Sequence, residues 1–132
     1  MSILGRRVPK RFVLLVALCL VVVTLIPVMT RTEVREIRLV ARDMSFYLAD
    51  DPRTPNPAIT VRAGESIRFV LQNDDRGFTH DFALPVSKAS TDTLAWGKQD
   101  EVTVTAPTTP GVYEYVCQPH RAMMRGQLHV IP

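Results

Sequence analysis

The sequence predicts an all-β fold, a Greek-key β-sandwich preceded by one apolar N-terminal helix. Three observations predict it. From Glu33 onward, apolar residues alternate with polar ones in short runs. Proline and glycine punctuate these runs at regular intervals, which gives seven or so strands. No helical period occurs outside residues 12–29.

The chain opens on a short basic segment, followed by an uncharged apolar run of 18 residues from Phe12 to Met29. At about 1.5 Å per residue this run spans roughly 27 Å, close to a hydrocarbon core of about 30 Å. It is expected to be an uncleaved transmembrane anchor; the alternative is a signal peptide whose cleavage releases the rest into the periplasm. The exit, Pro27-Val28-Met29-Thr30-Arg31, offers no Ala-x-Ala cleavage site, and the apolar run continues past Cys19, against acylation there. The basic cluster ahead of the run puts the N-terminus inside and the following domain in the extracytoplasmic space. Residues 1–32 thus form one unit and residues 33–132 a folded domain.

Charge divides in the same way. Of the sixteen basic residues, Arg6, Arg7, Lys10, Arg11 and Arg31 fall in residues 1–32, where there is no acid. The remaining eleven face all thirteen acids, so the domain carries −2 and the basic balance belongs to the leader. A nucleic-acid surface on the domain is therefore not expected.

The strands follow in order. Val34, Ile37, Leu39 and Ala41 mark the first and Met44 to Leu48 a second. Asp50 to Ala58 carries Pro52, Pro55 and Pro57 and is a loop, because proline cannot donate to a ladder. Ile59-Thr60-Val61 is a short strand, Ala63 to Ser66 a turn, and Ile67, Phe69 and Leu71 a half-buried strand. Asn73 to Gly77 is a polar loop, and Phe82-Ala83-Leu84 a strand stopped by Pro85. Val86 to Gln99 has weak periodicity and no assigned element. Glu101 to Ala106, Val112 to Cys117 and Gln127 to Ile131 complete the set, with a turn at Pro107 to Gly111.

The chemistry concentrates near the C-terminus. Cys117, His120 and the pair Met123-Met124 lie within eight residues, directly after an alternating strand. A strand ending in a tight loop carries a thiol, an imidazole and a thioether to one point. These soft and borderline donors suit copper, held as one ion by two His and one Cys with a weak axial Met. His80 is the candidate for the second imidazole. His129, between Leu128 and Val130 in the last strand, is read as structural. Pro119 stiffens the loop and removes one amide donor near the sulfur. Asp81 is placed to hydrogen-bond across to the Cys117 loop.

With those residues in view, the domain resembles the cupredoxins, the small blue-copper family of plastocyanin, amicyanin, pseudoazurin and azurin. The run from Gly111 to His120, with Cys117-Gln118-Pro119-His120, is similar to the family's last strand and ligand loop, and Phe78-Thr79-His80-Asp81 to its first-histidine motif. In that family a Met stands two residues before a Gly, as in Met124-Arg125-Gly126, which makes Met124 the axial ligand; counting from the cysteine as in amicyanin selects Met123. The family usually has Asn where Asp81 stands. The resemblance covers roughly residues 34–132.

It implies a type 1 copper electron carrier rather than an enzyme, since four protein ligands leave no open position for substrate. It also implies that His120 is the electron port, with Arg121 and Arg125 beside it favouring an acidic docking surface. Expected partners are redox proteins such as cytochromes or membrane oxidases and reductases. The alternatives are a copper-binding or delivery protein, or an accessory domain like that of cytochrome oxidase subunit II. The latter needs two bridging cysteines where the domain has only Cys117.

Overall fold

The computed structural model describes residues 34–132. The expected anchor or signal segment, its basic head and Cys19 lie outside the described residues. Among the described residues no helix is long and apolar enough to cross a membrane.

Nine strands build two sheets: β1 (Arg35–Arg42), β2 (Ser45–Leu48), β3 (Ile59–Arg62), β4 (Ser66–Asn73), β5 (Ala83–Leu84), β6 (Ala89–Ser90), β7 (Gln99–Thr105), β8 (Gly111–Val116) and β9 (Arg125–Ile131). One sheet runs β2-β1-β4-β7 and the other β3-β9-β8-β5-β6. Pairings are antiparallel except β1 with β4 and β3 with β9. This is the expected all-β sandwich, and the only helical element among the described residues is a 3-10 turn at Pro85–Ser87. The unassigned stretch from Val86 to Gln99 contains β6, which pairs with β5 over only two residues. So short a pairing leaves no period to read.

Alternation decides which side chains meet. Ile37, Leu39 and Ala41 of β1 face inward with Ile67, Phe69 and Leu71 of β4, against Leu128 and Val130 of β9. At the centre the ring of Phe69 stacks on Phe82 at 4.4 Å, and Phe46 and Tyr115 complete an aromatic cluster. Each such pair adds about 0.5–1.5 kcal/mol beyond area burial. The buried Tyr115 hydroxyl donates to the Pro57 carbonyl at 2.6 Å, which ties the proline-rich loop to β8. Burial drives the Tyr115 phenol well above its ordinary range. Gly126 stands opposite Tyr115 in the β8–β9 register. A Cβ at Gly126 would fall into that ring, so only glycine fits.

Candidate metal centre

The β5–β8 register aligns the two parts of the site. Ala83 pairs with Val116, so Phe82, Asp81 and His80 run back alongside Cys117 and the loop that follows it. Asp81, buried, accepts the Gln118 N–H at 2.7 Å, which holds that loop against the His80 segment. His80 is itself fixed by a two-way backbone bridge with Leu94, at 3.1 and 2.7 Å.

The segment from Cys117 to Met124 is a compact turn. The His120 N–H donates to the Cys117 carbonyl at 3.2 Å, and the Met123 and Met124 amides both donate to the His120 carbonyl at 2.9 Å. The Cys117 N–H closes the loop on the Met124 carbonyl at 2.9 Å. Pro119 sits exposed in this turn, where its fixed φ costs nothing and its missing N–H leaves no unpaired donor. A further tie comes from Asn56, whose side-chain amide donates to the Met123 carbonyl at 3.1 Å.

His80, Cys117 and His120 therefore converge. Their ligand atoms all lie within 4.8 Å of one another. The Cys117 Sγ is 3.6 Å from Nδ1 of His80 and 3.6 Å from Nδ1 of His120. Two donors sharing one ion at bond lengths of roughly 2.1 and 2.3 Å stand about 3.6–3.8 Å apart. The donor set thus fits a metal ion as it stands, and a thiolate with two imidazoles is what copper prefers. Met124 is fully buried in the same cluster as Cys117, whereas Met123 is 54% exposed. Of the two thioethers left open by the spacing, burial favours Met124 as the axial donor.

The surroundings tune these groups. Burial pushes the Cys117 thiol up, so a metal that takes the thiolate displaces a proton on binding. Burial also holds His80 below its ordinary range, with Asp75 opposing that shift, which keeps the imidazole neutral and available. His129, by contrast, is outside the cluster and its Nε2 is 3.0 Å from Gln127 Oε1. Arg121 and Arg125 both reach Glu114, at 2.9 and 4.0 Å, so one carboxylate is shared by two guanidinium groups.

Besides Asn56, two residues that hold the site were not singled out by sequence reasoning. Asn73 is fully buried; its Nδ2 donates to the carbonyls of Phe78 (2.9 Å) and Leu94 (2.8 Å), and its Oδ1 accepts the Asp75 N–H at 2.8 Å. Asp75 Oδ2 lies 3.2 Å from His80 Nε2. Both sit in the polar run Asn73-Asp74-Asp75-Arg76-Gly77, which reads as a solvated loop. Gly77, at φ +89°, turns that run back on itself so that Asp75 faces His80. A carboxylate five residues before a candidate ligand, with a glycine between, is the signal that was present.

Comparison with known proteins agrees with this geometry. Residues 54–131 match the copper binding proteins of the plastocyanin/azurin family. Among solved structures the chain is similar to dithionite-reduced auracyanin from the photosynthetic bacterium Roseiflexus castenholzii, at 20% identity and a TM-score of 0.59, covering 74% of this chain and 97% of that one. It is similar to auracyanin A, described as a "blue" copper protein from Chloroflexus aurantiacus, at 19% identity, a TM-score of 0.57 and coverage of 73% and 98%. Reduced rusticyanin gives 25% identity, a TM-score of 0.55 and coverage of 73% and 78%. A comparison with curated proteins finds no match.

Proposed function

Because the chain belongs to the plastocyanin/azurin family of copper-binding proteins, we propose that it is a type 1 copper electron carrier rather than an enzyme. The observation that carries this reading is the convergence of the buried Cys117 sulfur with Nδ1 of His80 and His120, with Met124 buried in the same cluster as the sulfur. Copper held there supplies a one-electron Cu(II)/Cu(I) couple. With four side chains as donors, the protein leaves no position for a substrate, unlike a catalytic metal site. The ties from Asp81, Asn56 and the Leu94 bridge keep the donors in place, which suits a centre that must change charge without rearranging.

His120 is the donor nearest the surface and would be the electron port. Its ring meets Phe78 edge-on at 6.0 Å, and Phe78 and Met123 are both about half exposed beside it. This apolar rim carries the net positive charge left by Arg121 and Arg125 on Glu114. Such a rim would dock best on a redox protein, a cytochrome or a membrane oxidase or reductase, whose own port is ringed by acids. With residues 12–29 as an anchor, the domain would work on the outer side of a membrane and over a short radius. Release from membranes by a high-salt wash alone would overturn that tether.

The alternatives are copper delivery and an oxidase-type binuclear domain. Delivery predicts that a chelator strips the metal on dialysis; a carrier retains it. A binuclear site needs two bridging thiols, and Cys117 is the only free cysteine among the described residues. The central experiment is absorption and electron paramagnetic resonance of the copper-loaded protein beside Cys117→Ser. An intense thiolate-to-copper band is expected in the parent and absent from the variant. Its survival in Cys117→Ser would refute the assignment.

A further inference from the structure

We propose that Asp75 is a positioning residue of the metal centre, one that fixes the His80 ring and biases the copper couple toward its oxidised state. This rests on the reading of His80, Cys117 and His120 as copper ligands. The His80 ring is fully buried and its two nitrogens face different groups. Nδ1 is turned to the Cys117 sulfur, at 3.6 Å, and Nε2 to Asp75 Oδ2, at 3.2 Å. The proton therefore belongs on Nε2, which donates to the carboxylate and leaves Nδ1 free to ligate.

Asp75 is built for this task rather than placed there by chance. Its side chain is only 14% exposed, and His80 is its ion-pairing neighbour among the described residues. The same Oδ2 accepts the Met44 N–H at 3.0 Å, while the Asp75 N–H is held by Asn73 Oδ1. Met44 and its neighbour Asp43 both adopt positive φ, 56° and 50°, in the turn between β1 and β2. Two successive non-glycine residues in the left-handed region are disfavoured. Here that turn aims a backbone donor at the carboxylate from a part of the chain 31 residues away.

The charge has a consequence that orientation alone does not. Reduction adds one electron to the ion, taking Cu(II) to Cu(I), and needs no proton from Asp75. A part-buried negative charge across one imidazole favours the more positive state, so it strengthens Cu(II) binding more than Cu(I) binding. Removing a carboxylate partner of a ligating His typically costs 10–100-fold in metal affinity. For a one-electron couple, a tenfold larger loss for Cu(II) than for Cu(I) raises the potential by about 59 mV.

The test compares the full chain with Asp75→Asn, which keeps the shape and an acceptor, and with Asp75→Ala, which loses both. Cu(I) and Cu(II) affinities are measured by chelator competition, the potential by redox titration, and the His80 tautomer by nitrogen-15 NMR of the copper-free protein. Expected are a retained thiolate band in Asp75→Asn, at least a tenfold selective loss of Cu(II) affinity with the matching rise in potential, and a mixed tautomer in Asp75→Ala. Variants that keep the band, with an affinity ratio within twofold of the parent, would overturn the role of the charge while leaving the copper reading intact. A change confined to thermal stability would do the same. A parent protein without the band would overturn the copper reading and this assignment with it.

Discussion

Replacing Asn73 by Ala tests how the fold holds the His80 segment. The side chain is fully buried and makes three hydrogen bonds, two as donor to Phe78 and Leu94 and one as acceptor from Asp75. All three partners are main-chain groups, and two of them belong to the segments that carry and bridge His80. At about 1 kcal/mol per bond, the loss is about 3 kcal/mol, more if the freed groups stay dry. For a domain of this size that lowers Tm by roughly 12–24 °C. The assay is urea and thermal unfolding of the copper-free protein, since bound metal would mask the loss by mass action. Asn73→Asp is the informative companion. It keeps the acceptor for the Asp75 amide but turns a carboxylate oxygen toward two carbonyls, so it should be at least as destabilised as the alanine variant. A loss below about 1 kcal/mol in both would refute the view that this amide pins the segment.

Three further outcomes are expected. Gly126→Ala drives a Cβ into the Tyr115 ring and should cost about 1–3 kcal/mol in urea unfolding, most of it recovered in a Tyr115→Ala background; an unchanged cost there would show that the ring is not the obstacle. Met124→Leu should shift the visible spectrum and potential of the copper-loaded protein, because the axial donor sets both, while Met123→Leu leaves them unmoved; the reverse pattern would move the axial assignment to Met123. In the copper-free protein burial holds His80 below its ordinary value of 6.5. The unfolded chain then takes up that proton more readily, so the stability from neutral His80 is complete above about pH 6.5 and is lost as pH falls through the lowered value. Urea midpoints between pH 7.5 and 5 should fall accordingly, and the slope should shrink in His80→Asn.

Much of this architecture was legible in the chain because it is periodic or contiguous. Ile67, Phe69 and Leu71 announce β4 by alternation, and Cys117, Pro119, His120 and Met124 crowd one loop, so their shared chemistry can be read without a fold. His80 could be reached because the donor set lacked one imidazole. What escaped has neither property. Asn73, Asp75 and Asn56 act through hydrogen bonds to groups 2–67 residues away, pairings that strand alternation does not encode. The choice between Met123 and Met124 likewise waited on burial, since both spacings are available to a flexible thioether. The pairing of Arg121 and Arg125 through Glu114 alters the local charge in a way that counting charges could not reveal.

The position of β1 also bears on mechanics. It is an interior strand, matched over seven residue pairs to β4 on one side and four to β2 on the other. A pull on Val34 along the strand axis would have to slide both ladders at once instead of peeling them bond by bond. Tension applied at the N-terminal end of β1 would thus be borne in shear by both ladders.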